Sequence, residues 1–71
     1  MKPLTTEQEE AAKLLLSAIL RLRMVARRSD ETKEIYDLAD AIHNLPLIIM
    51  EPDKEWEHEL TIARHALSQN N

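Results

Sequence analysis

Glycine is absent from this chain of 71 residues, and that absence closes off most folds open to a sequence of its length. Any backbone position with positive φ must be filled by Asn or Asp, and tight β-hairpin turns lose their usual occupant. Ala, Leu, Glu, Lys and Arg, all good helix formers, are abundant. The fold class that follows is all-α, a single domain over residues 1–71. A core this small barely offsets the entropy of ordering the chain, so a bound partner or second copy is the expected supplement. Cysteine is absent too, which excludes a disulfide framework and thiolate metal sites.

Three helices are predicted, over about 6–28, 31–44 and 53–68. Thr6-Glu7-Gln8-Glu9 reads as a capping box that opens the first helix, with the Thr6 hydroxyl on an early amide and Glu9 reaching back. This helix spans about 35 Å. Its apolar positions run nearly all round and leave only a narrow polar stripe through Lys13, Ser17, Arg21 and Arg28. A helix of that kind is covered on several sides, and two short helices hardly suffice, which argues for a dimer. Ser29-Asp30 supplies the cap of the second helix, whose inward stripe is Ile35, Leu38, Ala39, Ile42 and Leu45. Asn44 serves as its C-cap, and Pro46 pushes Leu45 out of helical geometry. Leu47 to Met50 then form an apolar corner, a short helical turn or tucked loop that closes the bundle. Pro52-Asp53 restart the chain as the third helix, with Trp56, Leu60, Ala63 and Leu67 as its seam and Ile62 and Ala66 beside it. The expected product is a small three-helix bundle with a long first helix.

Charge is divided along the chain. Residues 1–28 hold six basic and three acidic residues, net +3, whereas residues 29–71 hold three basic and ten acidic, net −7. In an up-down-up bundle, Glu7, Glu9, Glu10, Glu51, Asp53, Glu55, Glu57 and Glu59 gather near one pole. Acids in first turns complement helix dipoles, and together they also make a surface that steers toward a basic partner. The arginines 21, 23, 27 and 28 sit at a helix C-terminus, where cations are favoured in any case. Without interleaved aromatics or a polar recognition helix they do not make a nucleic-acid reader. No signal peptide or membrane span is recognisable, so the expected location is the cytoplasm.

Few residues invite chemistry. His58-Glu59 begins like a zinc-protease motif, but its second His would fall at position 62, which is Ile62. His58 and His65 stand two turns, about 10 Å, apart along the axis, too far to chelate one ion unaided. Tyr36, Asp40 and His43 fall at i, i+4 and i+7 of the second helix, where Asp40 is placed to orient His43 as a base is oriented. No Ser or Cys nucleophile accompanies them and no glycine-rich loop exists to cradle phosphate. The expectation is no catalytic residue, no cofactor and no metal. Tyr36, of a type favoured in interaction hot spots, marks this face instead as a partner-binding surface.

The string Asp37-Leu38-Ala39-Asp40-Ala41-Ile42-His43-Asn44-Leu45-Pro46 resembles an A-D-A-x-H-N-(L/I)-P element of small bacterial proteins, some of them immunity-like proteins encoded beside toxins. The resemblance covers about ten residues, and Asp40, His43, Asn44 and Pro46 are its matching positions, whose physics suits a structural helix stop better than a reaction. Two functions are therefore expected of the sequence. One is an acidic helical interaction module that binds another protein through Tyr36, Asp40, His43, Glu51, Asp53, Glu55, Glu57 and Glu59, in its most concrete form an inhibitor of a basic bacterial toxin. The alternative is a structural or regulatory homodimer built on the first helix. Neither is an enzyme.

Overall fold

In a computed structural model the chain is described over residues 3–28 and 32–68. Three α-helices pack compactly, α1 (Thr6–Arg28), α2 (Thr32–Met50) and α3 (Glu57–Ser68). The expected Ser29-Asp30 cap and the tail 69–71 lie outside the described residues.

Helix α1 has the predicted bounds, but its cap sits one residue earlier. The Thr5 amide donates to Gln8 Oε1 at 2.8 Å, and the Gln8 amide donates to Thr5 Oγ1 at 3.1 Å. Gln8 wins this role over Glu9 because an amide both accepts and donates. Its Nε2 reaches across to the Ile49 carbonyl of α2 at 2.9 Å, occupying one of the acceptors that the last turn of a helix leaves open. One side chain thus starts α1 and ties it to the end of α2, so the two helices run antiparallel.

The expected stop at Asn44-Leu45-Pro46 does not occur. Helix α2 continues through Pro46 to Met50, and the residues read as a corner are its last turn. An internal proline withdraws a hydrogen bond and costs about 3 kcal/mol. The continuing helix keeps Leu38, Ala41, Leu45 and Ile48 on one buried seam. Burying Leu45 and Ile48 contributes about 1.5–3 kcal/mol each, enough to offset the proline. Asn44 is therefore an interior residue of α2, not a cap, and Ala39 points outward from the seam.

Helix α3 starts four residues later than predicted, at Glu57. Pro52-Asp53 belong to a turn, closed by the Lys54 amide on the Glu51 carbonyl at 3.4 Å. The Trp56 indole N–H folds back onto that same carbonyl at 2.7 Å, while the Leu60 amide bonds the Trp56 carbonyl at 2.9 Å. Trp56 thus sets the first turn of α3 with its ring against the core. Leu60, Ala63 and Ala66 are the buried seam; Leu67 is half-buried, and Ile62, expected beside the seam, faces outward.

Two clusters make the core. Ala11, Ala41, Leu45, Ile48, Leu60 and Ala63 join all three helices, with Leu14, Leu15, Ile49 and Trp56 around them. Ala18, Val25 and Leu38 form the second, to which α3 adds only Leu67. Because α3 has 12 residues against 23 in α1, it covers one end of the α1–α2 pair and leaves the other end to two helices.

Candidate functional site: the outer face of α1

The most unusual surface of the molecule lies on α1, and it follows from which apolar residues that helix turns inward. Its fully buried positions are Ala11, Ala18 and Val25, spaced by seven so that they recur on one face. They are small, and they receive the large side chains Leu38, Leu45 and Ile48 of α2. Leu14, Leu15 and Leu22 pack half-buried against the core, whereas the other large residues of α1 stay open: Leu16 is 61% exposed, Ile19 40%, Leu20 49% and Met24 63%. At 100° per residue Leu16 and Leu20 fall opposite the buried seam, with Ile19 and Met24 on the two flanks of that face. A monomer gains most by burying its larger side chains, and this helix leaves four of its large ones open.

Basic residues edge the stripe. Arg23 and Arg27 join Leu20 and Met24 in lining a shallow depression. Beyond the end of α3, a second groove runs along Leu14, Ser17, Leu20, Arg21, Met24 and Leu67. The arginine cluster expected from sequence is divided by the fold. Arg21 Nε donates to Glu34 Oε2 of α2 at 2.9 Å, and Arg28 lies 3.7 Å from Glu34 Oε1. Among the described residues, Arg23 and Arg27 make no ion pair. At the other end of the same face Glu9 is exposed, its carboxylate likewise unpaired among the described residues.

The acidic pole is less open than the sequence implies. Arg64 of α3 holds Glu10 of α1 in a fork, with Nε donating to Oε2 and Nη2 donating to Oε1 at 2.6 Å, and its Nη1 also donates to Glu57 at 3.2 Å. Hydrogen bonding from Arg64 holds the Glu10 carboxyl below its ordinary value of 4.5, aided by the arginine's charge and partly opposed by desolvation. The same bonds to Glu10 and Glu57 hold the Arg64 guanidinium protonated. Glu51 pairs with Lys54 at 2.9 Å. Glu59 is half-buried, and its Oε1 is buried without a hydrogen-bond partner among the described residues. It lines a narrow α2–α3 cleft with Asp40 and Asn44. Of the acids singled out in the connection, Asp53 and Glu55 remain exposed and outside any ion pair among the described residues.

Tyr36, Asp40 and His43 share the outward face of α2 and are exposed. No hydrogen bond joins Asp40 to His43 among the described residues, so the carboxylate does not orient the imidazole. Tyr36 is 69% exposed. Nor, among the described residues, does any group of three His, Asp or Glu side chains converge to hold a metal ion. No described helix is long and apolar enough to cross a membrane. Sequence reasoning saw that α1 was apolar all round but missed Leu16, Ile19, Leu20 and Met24 as a site. The signal was the heptad Ala11, Ala18, Val25, which marks the seam through its small residues.

Compared with protein-family models, with curated proteins and with solved structures, the chain gives no match in any of the three.

Proposed function

We propose that this chain is a non-enzymatic protein–protein interaction module whose contact surface is the outer face of α1, and that it acts in the cytoplasm. The observation that carries the reading is the exposed stripe: Leu16, Ile19, Leu20 and Met24 stay open on the side of α1 away from its buried seam Ala11, Ala18 and Val25. A contiguous apolar stripe rimmed by charge is the usual mark of a surface that is covered in the working state. Arg23 and Arg27, which make no ion pair among the described residues, define the partner's chemistry as an apolar helix surface edged by carboxylates.

Paired capture from the native host tests this, using the wild-type chain and Leu16→Glu/Leu20→Glu as baits. The expected result is a partner, another protein or the untagged chain itself, held by the wild type and released by the variant with helical circular dichroism unchanged. Equal recovery on both baits contradicts the reading.

A second reading rests on Asp53 and Glu55, which stay exposed beside the turn. Together with the resemblance of residues 37–46 to immunity-like proteins, they support inhibition of a basic bacterial toxin through the acidic pole. Such a complex weakens steeply as salt rises. Charge reversal at Asp53 and Glu55 abolishes it, whereas the α1 variant leaves it intact.

A further inference from the structure

The partner that the α1 face calls for is present in the chain itself: we infer that a second copy docks on it, α1 against α1, antiparallel. This rests on the α1 face being the contact surface and names its occupant. The reasoning starts from the two ends of the stripe. Glu9 and Arg27 are both exposed and 18 residues apart, which is five helical turns, so they lie on one line about 27 Å apart along the axis. One end of the face therefore carries a carboxylate, and the other a guanidinium, that make no ion pair among the described residues.

A two-fold axis through the level of residue 18 sets Glu9 of each copy against Arg27 of the other. The same axis brings Leu16 level with the other copy's Leu20, about 40° apart round the helix, so these apolar positions meet between the charged ends. Like charges brought to one level, Lys13 and Arg23, lie about 80° apart round the helix and so on opposite edges of the stripe. A parallel arrangement sets Glu9 against Glu9 and Arg27 against Arg27, and is disfavoured at both ends. Antiparallel pairing is isologous, the geometry of most homodimers. It uses no surface that the core of either copy occupies, since the stripe faces away from α2 and α3.

Sedimentation equilibrium of the full chain, from micromolar to millimolar concentration and at low and moderate salt, tests the inference. The wild type is expected to be a reversible dimer. Leu20→Glu, which sets a charge in the middle of the stripe, is expected to weaken it by more than about 100-fold while retaining its helical signal. Glu9→Arg and Arg27→Glu each replace two attractive contacts with two repulsive ones and are expected to weaken the dimer by about 10-fold. The double variant Glu9→Arg/Arg27→Glu restores the pairs with reversed polarity and is expected to return to about the wild-type affinity. A chain that stays monomeric into the millimolar range overturns the second copy but leaves capture of another protein by the α1 face to its own experiment. A dimer indifferent to Leu20→Glu likewise overturns the second copy on this face, because self-association then lies elsewhere. A dimer broken by Leu20→Glu, with the double variant no tighter than the single ones, overturns the antiparallel pairing.

Discussion

The inner and outer faces of α1 are both apolar, yet they do different work. On the inner face Ala11, Ala18 and Val25 are small enough for Leu38, Leu45 and Ile48 of α2 to insert between the helices, the large-into-small fit that packs a core without voids. On the outer face Leu16, Leu20 and Met24 stay 49–63% exposed. Hydrophobicity alone does not distinguish the faces; burial does, since Leu14, Leu15 and Leu22 pack half-buried beside the inner seam while the outer residues stay open. A small bundle that leaves four large apolar side chains of one helix open gives up burial it can hardly spare, which a second surface over them would restore.

The comparison is broken most forcefully on the inner side. Leu38→Ala empties a fully buried position and is expected to lower unfolding free energy by about 3 kcal/mol, a large part of what a domain this size holds. Leu20→Ala on the outer face removes the same atoms, yet at concentrations where the chain is monomeric it is expected to cost less than about 0.5 kcal/mol. Urea unfolding of the two variants in dilute solution checks both. Comparable losses would mean that the outer face is part of the fold.

Next in size is Pro46→Ala. Restoring an amide hydrogen inside α2 is expected to raise stability by about 1–2 kcal/mol, read as a higher urea midpoint with unchanged slope. A loss would show that Pro46 stabilises a bend that the seam needs. The same residue shows where the sequence was legible and where it was not. Helix α1 could be bounded correctly because its polar start and its basic end agree with its apolar run. At Pro46 two local signals conflicted. Asn44-Leu45-Pro46 spelled a stop, while the period through Leu38, Ala41, Leu45 and Ile48 spelled a continuing helix, and tertiary burial decided for the period. At Pro52-Asp53 a legitimate helix start lost to Trp56, whose indole needed the Glu51 carbonyl. The acidic pole was foreseeable as a gathering of charge, but not its neutralisation. Arg64 meets Glu10 across 54 residues of sequence, a contact no local pattern announces. The exposed stripe was visible only as excess apolarity, because the sequence does not say which of many apolar residues turn in.

A smaller effect concerns that ion-pair fork. The folded Glu10 carboxyl titrates below its ordinary 4.5. Its contribution to stability is therefore present above that value and lost as the pH falls through the folded value. Thermal midpoints of wild type and Glu10→Gln are expected to differ modestly at neutral pH and to converge in acid. A gap that persists in acid would assign the effect to packing rather than to the Arg64 pair. Because the fork fastens α1 to α3 and not α1 to a partner, the variant is expected to leave association through the outer face unchanged.

The central claim is that the outer face of α1 is a contact surface and the rest of the exterior is not. Backbone and methyl NMR shifts followed across a concentration series of the full chain test it most directly. The account predicts that Leu16, Ile19, Leu20, Met24 and the flanking Glu9 and Arg27 shift together toward one saturating limit, while Ile62 and residues 51–59 stay still. Shifts that instead centre on residues 51–59, or on Tyr36 and His43 with α1 unmoved, contradict it.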